Sequence, residues 1–140
     1  KSSAASDVYK RQGSMSKLDD MAEIRDAVVS SLGKGDDCSE AWKIGNGMAN
    51  EMGYSNHLMG MAPNQAVFLG HSVGLELDET PVVADRFDRE LPIGGTMAIE
   101  PKVIYESGAI GTEDTFARTS EGMECLTMGE SWGLLTEWDS

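Results

Sequence analysis

The sequence predicts an α+β domain in which two helices pack against a mostly antiparallel, curved sheet. Three observations predict it. Apolar residues recur at steps of three and four only in the first part of the chain. After Gln65 they fall instead into short extended runs. Gly, Pro and Ser separate those runs in hairpin-like succession, the pattern of a helix pair followed by a meander.

Residues 1–16 of the 140-residue chain are Ser/Ala-rich and then basic, without an amphipathic period, and are set aside as a non-native or disordered tail. Residues 17–128 form the one domain, and 129–140 a C-terminal extension. From Lys17 to Leu32 the apolar positions Leu18, Met21, Ile24, Val28 and Leu32 share one helix face, and Gly33 stands where a C-terminal cap belongs. Ser39 is the best N-cap candidate for a second helix, carried by Trp42, Ile44, Met48 and Met52 and ending at Gly53. Gly45 and Gly47 weigh against it, since each costs about 1 kcal/mol relative to Ala inside a helix. Tyr54 to Gln65 reads as loop. Ala66 to Leu69 is a short strand leading into Gly70-His71, and Val82-Val83 is a brief extended piece. Pro92 to Gly95 is a turn. Met97 to Tyr105 and Ile110 to Arg118 are β runs about a Ser107-Gly108 turn. Met128 to Ser140 has no clear period, and a short helix is one reading of it.

Charge and composition exclude several classes. The net charge of −13 argues against nonspecific nucleic-acid binding, which needs a basic surface. No apolar run approaches the roughly 18 residues needed to span a bilayer, and no signal-peptide core opens the chain. Cys38 and Cys125 are far apart and in no CxxC pair, so two unpaired thiols in a reduced, cytoplasmic setting are expected.

Three segments carry chemistry. Gly70-His71-Ser72-Val73-Gly74 sets an imidazole among small residues at a strand end. Ile99-Glu100-Pro101 sets a carboxylate within an apolar strand, where an unpaired charge is costly. Thr112-Glu113-Asp114-Thr115 does the same in the next strand. If these strands pair, Glu100 and Glu113 converge on one face and repel unless a cation lies between them. Oxygen ligands with one nitrogen suit Mn, Co, Fe or Zn. Taken singly, each has a plainer reading: a hydrogen-bonded His, an edge-strand charge, a solvated acidic turn.

The ordered segments GHSVGLELDE, TMAIEPKVIY and GTEDTFARTSEGMECLT closely resemble the C-terminal part of the methionine aminopeptidase, aminopeptidase P and creatinase superfamily. The likeness runs from about Met21 to Thr127 and closes on Gly122-Met123-Glu124-Cys125-Leu126-Thr127. It implies the second half of a pita-bread fold, with His71, Glu100 and Glu113 as metal ligands and Glu100 also as general base. Two Asp ligands from a first half, absent here, would complete a site for two divalent ions (Mn, Co, Zn or Fe). The implied activity is that of an Xaa-Pro aminopeptidase or dipeptidase, a metal-bridging hydroxide attacking an amide near a peptide N-terminus. The implied parent is a homodimer acting on a peptide or small molecule, and this piece alone is expected to be inactive.

Two positions depart from the family. A second His usually follows the ligand His by seven residues; here Asp78 stands there, either as the base of a modified chemistry or as a loop acid. Aminopeptidase P tends to place an Arg two residues before the last Glu ligand, where this chain has Gly111. Both changes leave open a creatinase-like or lyase reaction on a small metabolite. A metal-free pita-bread binding module is the further alternative. His57 lies in the loop leading toward the site and is the candidate substrate contact.

Overall fold

The computed structural model describes residues 3–73, 81–127 and 131–135. Its order is α1 (Ser3–Lys34), α2 (Cys38–Glu51), β1 (Phe68–Ser72), β2 (Val82–Ala84), β3 (Thr96–Ile99), β4 (Lys102–Tyr105), β5 (Gly108–Thr112), β6 (Asp114–Thr119), β7 (Gly122–Cys125) and β8 (Ser131–Leu135). Among the described residues all strand pairings are antiparallel, in a five-stranded sheet β2-β1-β3-β6-β7 and a three-stranded sheet β4-β5-β8. The predicted α+β class, with helices on an antiparallel sheet, is what is found.

The predicted stripe of α1 is the core. Met21, Ile24, Val28 and Leu32 are fully buried, with Leu18 packed beside them. Leu69, Val83, Met97, Ile99 and Val103 belong to the same cluster. Each such side chain contributes about 1.5–3 kcal/mol on leaving water. The helix is longer than its period indicates, starting at Ser3 and so taking in most of the segment set aside as a tail.

Its C-terminal cap is Gly35, not Gly33. Gly35 takes φ +92°, its N–H bonds the Leu32 carbonyl (3.1 Å), and the Asp36 N–H bonds the Ser31 carbonyl (3.2 Å). That pair of bonds is a Schellman motif. Gly33 is instead a packing position, since a Cβ there would lie 3.2 Å from the Met123 backbone nitrogen.

The second helix also differs in how it is capped and which face it buries. It starts at Cys38 with Asp37 as N-cap and no side-chain cap bond. The N–H groups of Cys38 and Ser39 donate instead to the carbonyls of Arg89 and Phe87, at 2.8 and 2.9 Å. A long-range backbone contact thus does what a capping side chain does elsewhere. Its buried face is Cys38, Ala41, Gly45 and Ala49, while Ile44 is exposed and Trp42, Met48 and Met52 lie at the margin. Gly45 is what the packing requires: a Cβ there would sit 2.6 Å from Leu69 Cδ1 and 2.9 Å from Val28 Cγ2.

The C-terminal stretch corrects a further expectation. Ser131–Leu135 is a strand, β8, paired with all of β5 from Gly108 to Thr112, and not a helix.

Candidate metal centre

The predicted runs Met97–Tyr105 and Ile110–Arg118 form one hairpin, broken in the middle. Ile99 faces Asp114 across β3 and β6, and Lys102 faces Gly111 across β4 and β5. The same register therefore continues through the break and sets Glu100 opposite Glu113. The cause of the break is Pro101, which has no N–H to give to the ladder. Its carbonyl accepts the Thr112 N–H at 3.2 Å, while the Glu100 N–H turns to the Leu69 carbonyl at 2.9 Å. The two glutamates thus sit where the hairpin passes from one sheet to the other.

β1 supplies the third residue. His71 pairs with Ala98, and Ala98 with Thr115. Alternation then puts His71, Ala98 and Glu100 on one side of the sheet, with Glu113 joining them from the opposite strand. Met97, Ile99 and Phe116 occupy the other side, within the core. His71 lies within β1, where sequence placed it just past a strand end.

The approach of two of the three is direct. His71 Nε2 lies 3.8 Å from Glu100 Oε2. The Nδ1 of His71 stands 3.3 Å from the Ser72 carbonyl; as donor in that bond it leaves the Nε2 lone pair facing the carboxylate. Two acceptors so placed need a cation between them or a proton on the ring. Glu113 is exposed, and among the described residues no three His, Cys, Asp or Glu side chains come close enough to form a metal cluster. The structure brings His71 and Glu100 together and puts Glu113 on the same face, without closing a three-ligand group.

The other predicted residues fall differently. Asp78 lies outside the described residues. His57 stacks on Tyr105, ring centroids 4.1 Å apart, and its Nδ1 is 3.0 Å from the Ile104 carbonyl. Tyr105 ends β4, in the three-stranded sheet, whereas His71 lies in the five-stranded one. This loop residue is engaged in holding the 57–59 segment against β4, where Met59 donates to Lys102 and Ile104 to His57.

Sequence reasoning missed Asp114. Its side chain is almost wholly buried, with Oδ2 accepting from Arg25 Nη1 at 3.0 Å and Oδ1 accepting from Thr127 Oγ1 at 2.5 Å. The signal was present: if Glu113 faces out, the next residue must face in. A buried carboxylate then requires a cation, and Arg25 flanks the core stripe of α1.

The comparisons with known proteins bear on this site. A model of metallopeptidase family M24 matches residues 14–120. The chain belongs to metallopeptidase family M24. Among solved structures it is similar to the prolidase from Pyrococcus horikoshii OT3 (29% identity, TM-score 0.68), covering 83% of this chain and 32% of that one. The prolidase from Pyrococcus furiosus aligns at 27% identity and TM-score 0.69, over 83% of this chain and 33% of that one. The Xaa-Pro dipeptidase from Bacillus anthracis gives 26% and 0.68, over 84% and 32%. This chain thus spans about a third of the length of these structures. No curated protein matches it in sequence.

An M24 chain implies a dependence on divalent metal, and the donors here fit one. Nitrogen and oxygen donors bind such ions at about 2.0–2.2 Å, so two ligands of one ion stand roughly 3–4 Å apart. The His71–Glu100 separation of 3.8 Å falls in that range. An imidazole with carboxylates is also the donor chemistry these ions take. Gly111, where an Arg is common in aminopeptidase P, is closed to any side chain as the backbone stands. A Cβ there would lie 2.5 Å from Lys102 Cβ and 2.7 Å from the Pro101 carbonyl oxygen.

Proposed function

We propose that this chain supplies the His71, Glu100 and Glu113 side of the active site of a metal-dependent peptidase of the Xaa-Pro dipeptidase or aminopeptidase type. The observation that carries it is the His71–Glu100 approach on a sheet face that the hairpin register shares with Glu113. In this reading two divalent ions are held by these residues together with two carboxylates from a first half of the fold. Such ions supply Lewis acidity and lower the pKa of a water that attacks the amide. His71 acts as a neutral ligand, its ring oriented through the Ser72 carbonyl. Glu113 contributes negative charge. A carboxylate oxygen of Glu100 takes the proton released as water attacks and returns it to the leaving amine.

Titrating this chain with Mn or Zn tests the ligand assignment. Glu100→Gln and His71→Ala are expected to abolish the binding the parent sequence shows; unchanged binding in both variants would sink the assignment. The absence of room at Gly111 for the arginine of aminopeptidase P favours a second reading, a creatinase-like or lyase reaction on a small polar metabolite. Asp78 enters here as the base of that modified chemistry. A substrate panel of Xaa-Pro dipeptides against guanidino and sulfonium compounds, run on a protein that joins this half of the fold to a first half, separates the two readings.

A further inference from the structure

Glu113 stands between β5 and β6, outside both strands, with an exposed side chain. What fixes its direction lies on the other face. Asp114 is the first residue of β6, opposite Ile99, and points into the core. Both of its oxygens are held: Oδ2 by Arg25 of α1 and Oδ1 by Thr127, beyond the end of β7. Thr127 Oγ1 also accepts the Thr115 N–H at 3.3 Å, and the Leu126 N–H donates to the Thr115 carbonyl at 2.8 Å. One carboxylate therefore joins the long helix, the start of β6 and the segment after β7.

We propose that Asp114 is a positioning residue for Glu113, acting through the backbone between them. Consecutive residues of an extended chain point to opposite faces, so clamping Asp114 inward aims Glu113 outward, at the face of His71 and Glu100. A buried ion pair is weak evidence for stability in itself, because desolvation offsets most of its attraction. Its rigid, directional geometry does serve to hold one local arrangement, here with two strands and a helix tied to one side chain. The exposed arm of Arg25, on Asp26, is not part of this clamp.

The inference rests on Glu113 being a ligand, and the experiment separates the two. Mn titration of this chain is compared among the parent sequence, Asp114→Asn, Thr127→Val and the control Asp26→Asn, with amide hydrogen exchange measured on each. Loss of support around a ligand typically weakens metal binding by about tenfold or more. Asp114→Asn and Thr127→Val are expected to show that loss with unchanged circular dichroism, and Asp26→Asn to show none. Affinity within about twofold of the parent in a folded Asp114→Asn or Thr127→Val variant overturns the proposal. If the parent binds no Mn, the ligand reading of this face fails by itself and exchange decides the rest. Faster exchange confined to residues 112–116 supports positioning; an even increase across the sheet makes Asp114 a plain core contact and overturns it. Should Asp114→Asn fail to fold, Thr127→Val, which keeps the charge pair, carries the same readouts.

Discussion

Cys38 and Cys125 show how far two residues of one type diverge by placement. Cys38 is buried at the start of α2, where burial and then the adjacent Asp37 push its thiol up to about 11. Cys125 is exposed at the end of β7. A thiol-reactive dye at about pH 8 is therefore expected to label Cys125 quickly and Cys38 only on unfolding, because the thiolate is the nucleophile. Equal labelling rates would contradict the placement of Cys38. The raised value also has a sign for stability. An acid with a higher pKa folded than unfolded contributes stability that is present below its ordinary value and lost as pH rises through the folded one. Cys38 thus weakens the fold from pH 9.0 to about 11. Tyr54 adds to this above pH 10, its phenol raised by burial and by the bond to Asp20. Urea unfolding at about pH 8 and pH 10.5 should show the fall, and Cys38→Ala should flatten part of it.

At the scale of elements, what was legible in the sequence was what is local or periodic. The three-and-four spacing of Met21, Ile24, Val28 and Leu32 named the core face of α1, and the Glu100-Pro101 and Glu113-Asp114 pairs marked the hairpin that carries the site. What was missed depends on partners distant in sequence. The cap of α2 is the 87–89 backbone, its buried face is shaped by Leu69 and Val28, and β8 is a strand because β5 offers it an edge. The capping error at α1 is testable. Gly35→Ala places a Cβ at φ +92° and 3.0 Å from Arg118 Nη2, so thermal unfolding should report a loss of about 1 kcal/mol or more. The same change at Gly53, also at positive φ but with open space around it, should cost only the backbone part. Gly45→Ala, by overpacking against Leu69 and Val28, is expected to cost about 1–3 kcal/mol. A neutral result there would mean that α2 does not pack on α1 as closely as described.

For the molecule as a whole, the candidate site is an open face. His71 is 46% exposed and Glu100 15%, on the side of the sheet opposite Met97, Ile99 and Phe116. A divalent ion there meets two donors at close range and a third carboxylate on the same face, with the exposed side of His71 open to water. Water competing for the ion and solvent screening both weaken such a site relative to an enclosed one. Titration of this chain with Mn is accordingly expected to show one ion bound, weakly. A chelator should then remove the ion without unfolding the domain, since the core of Leu32, Leu69, Met97 and Ile99 lies on the opposite face. Two tightly bound ions per chain would show that residues 1–140 already contain a full set of ligands, and would overturn the proposal that the remaining carboxylates come from elsewhere.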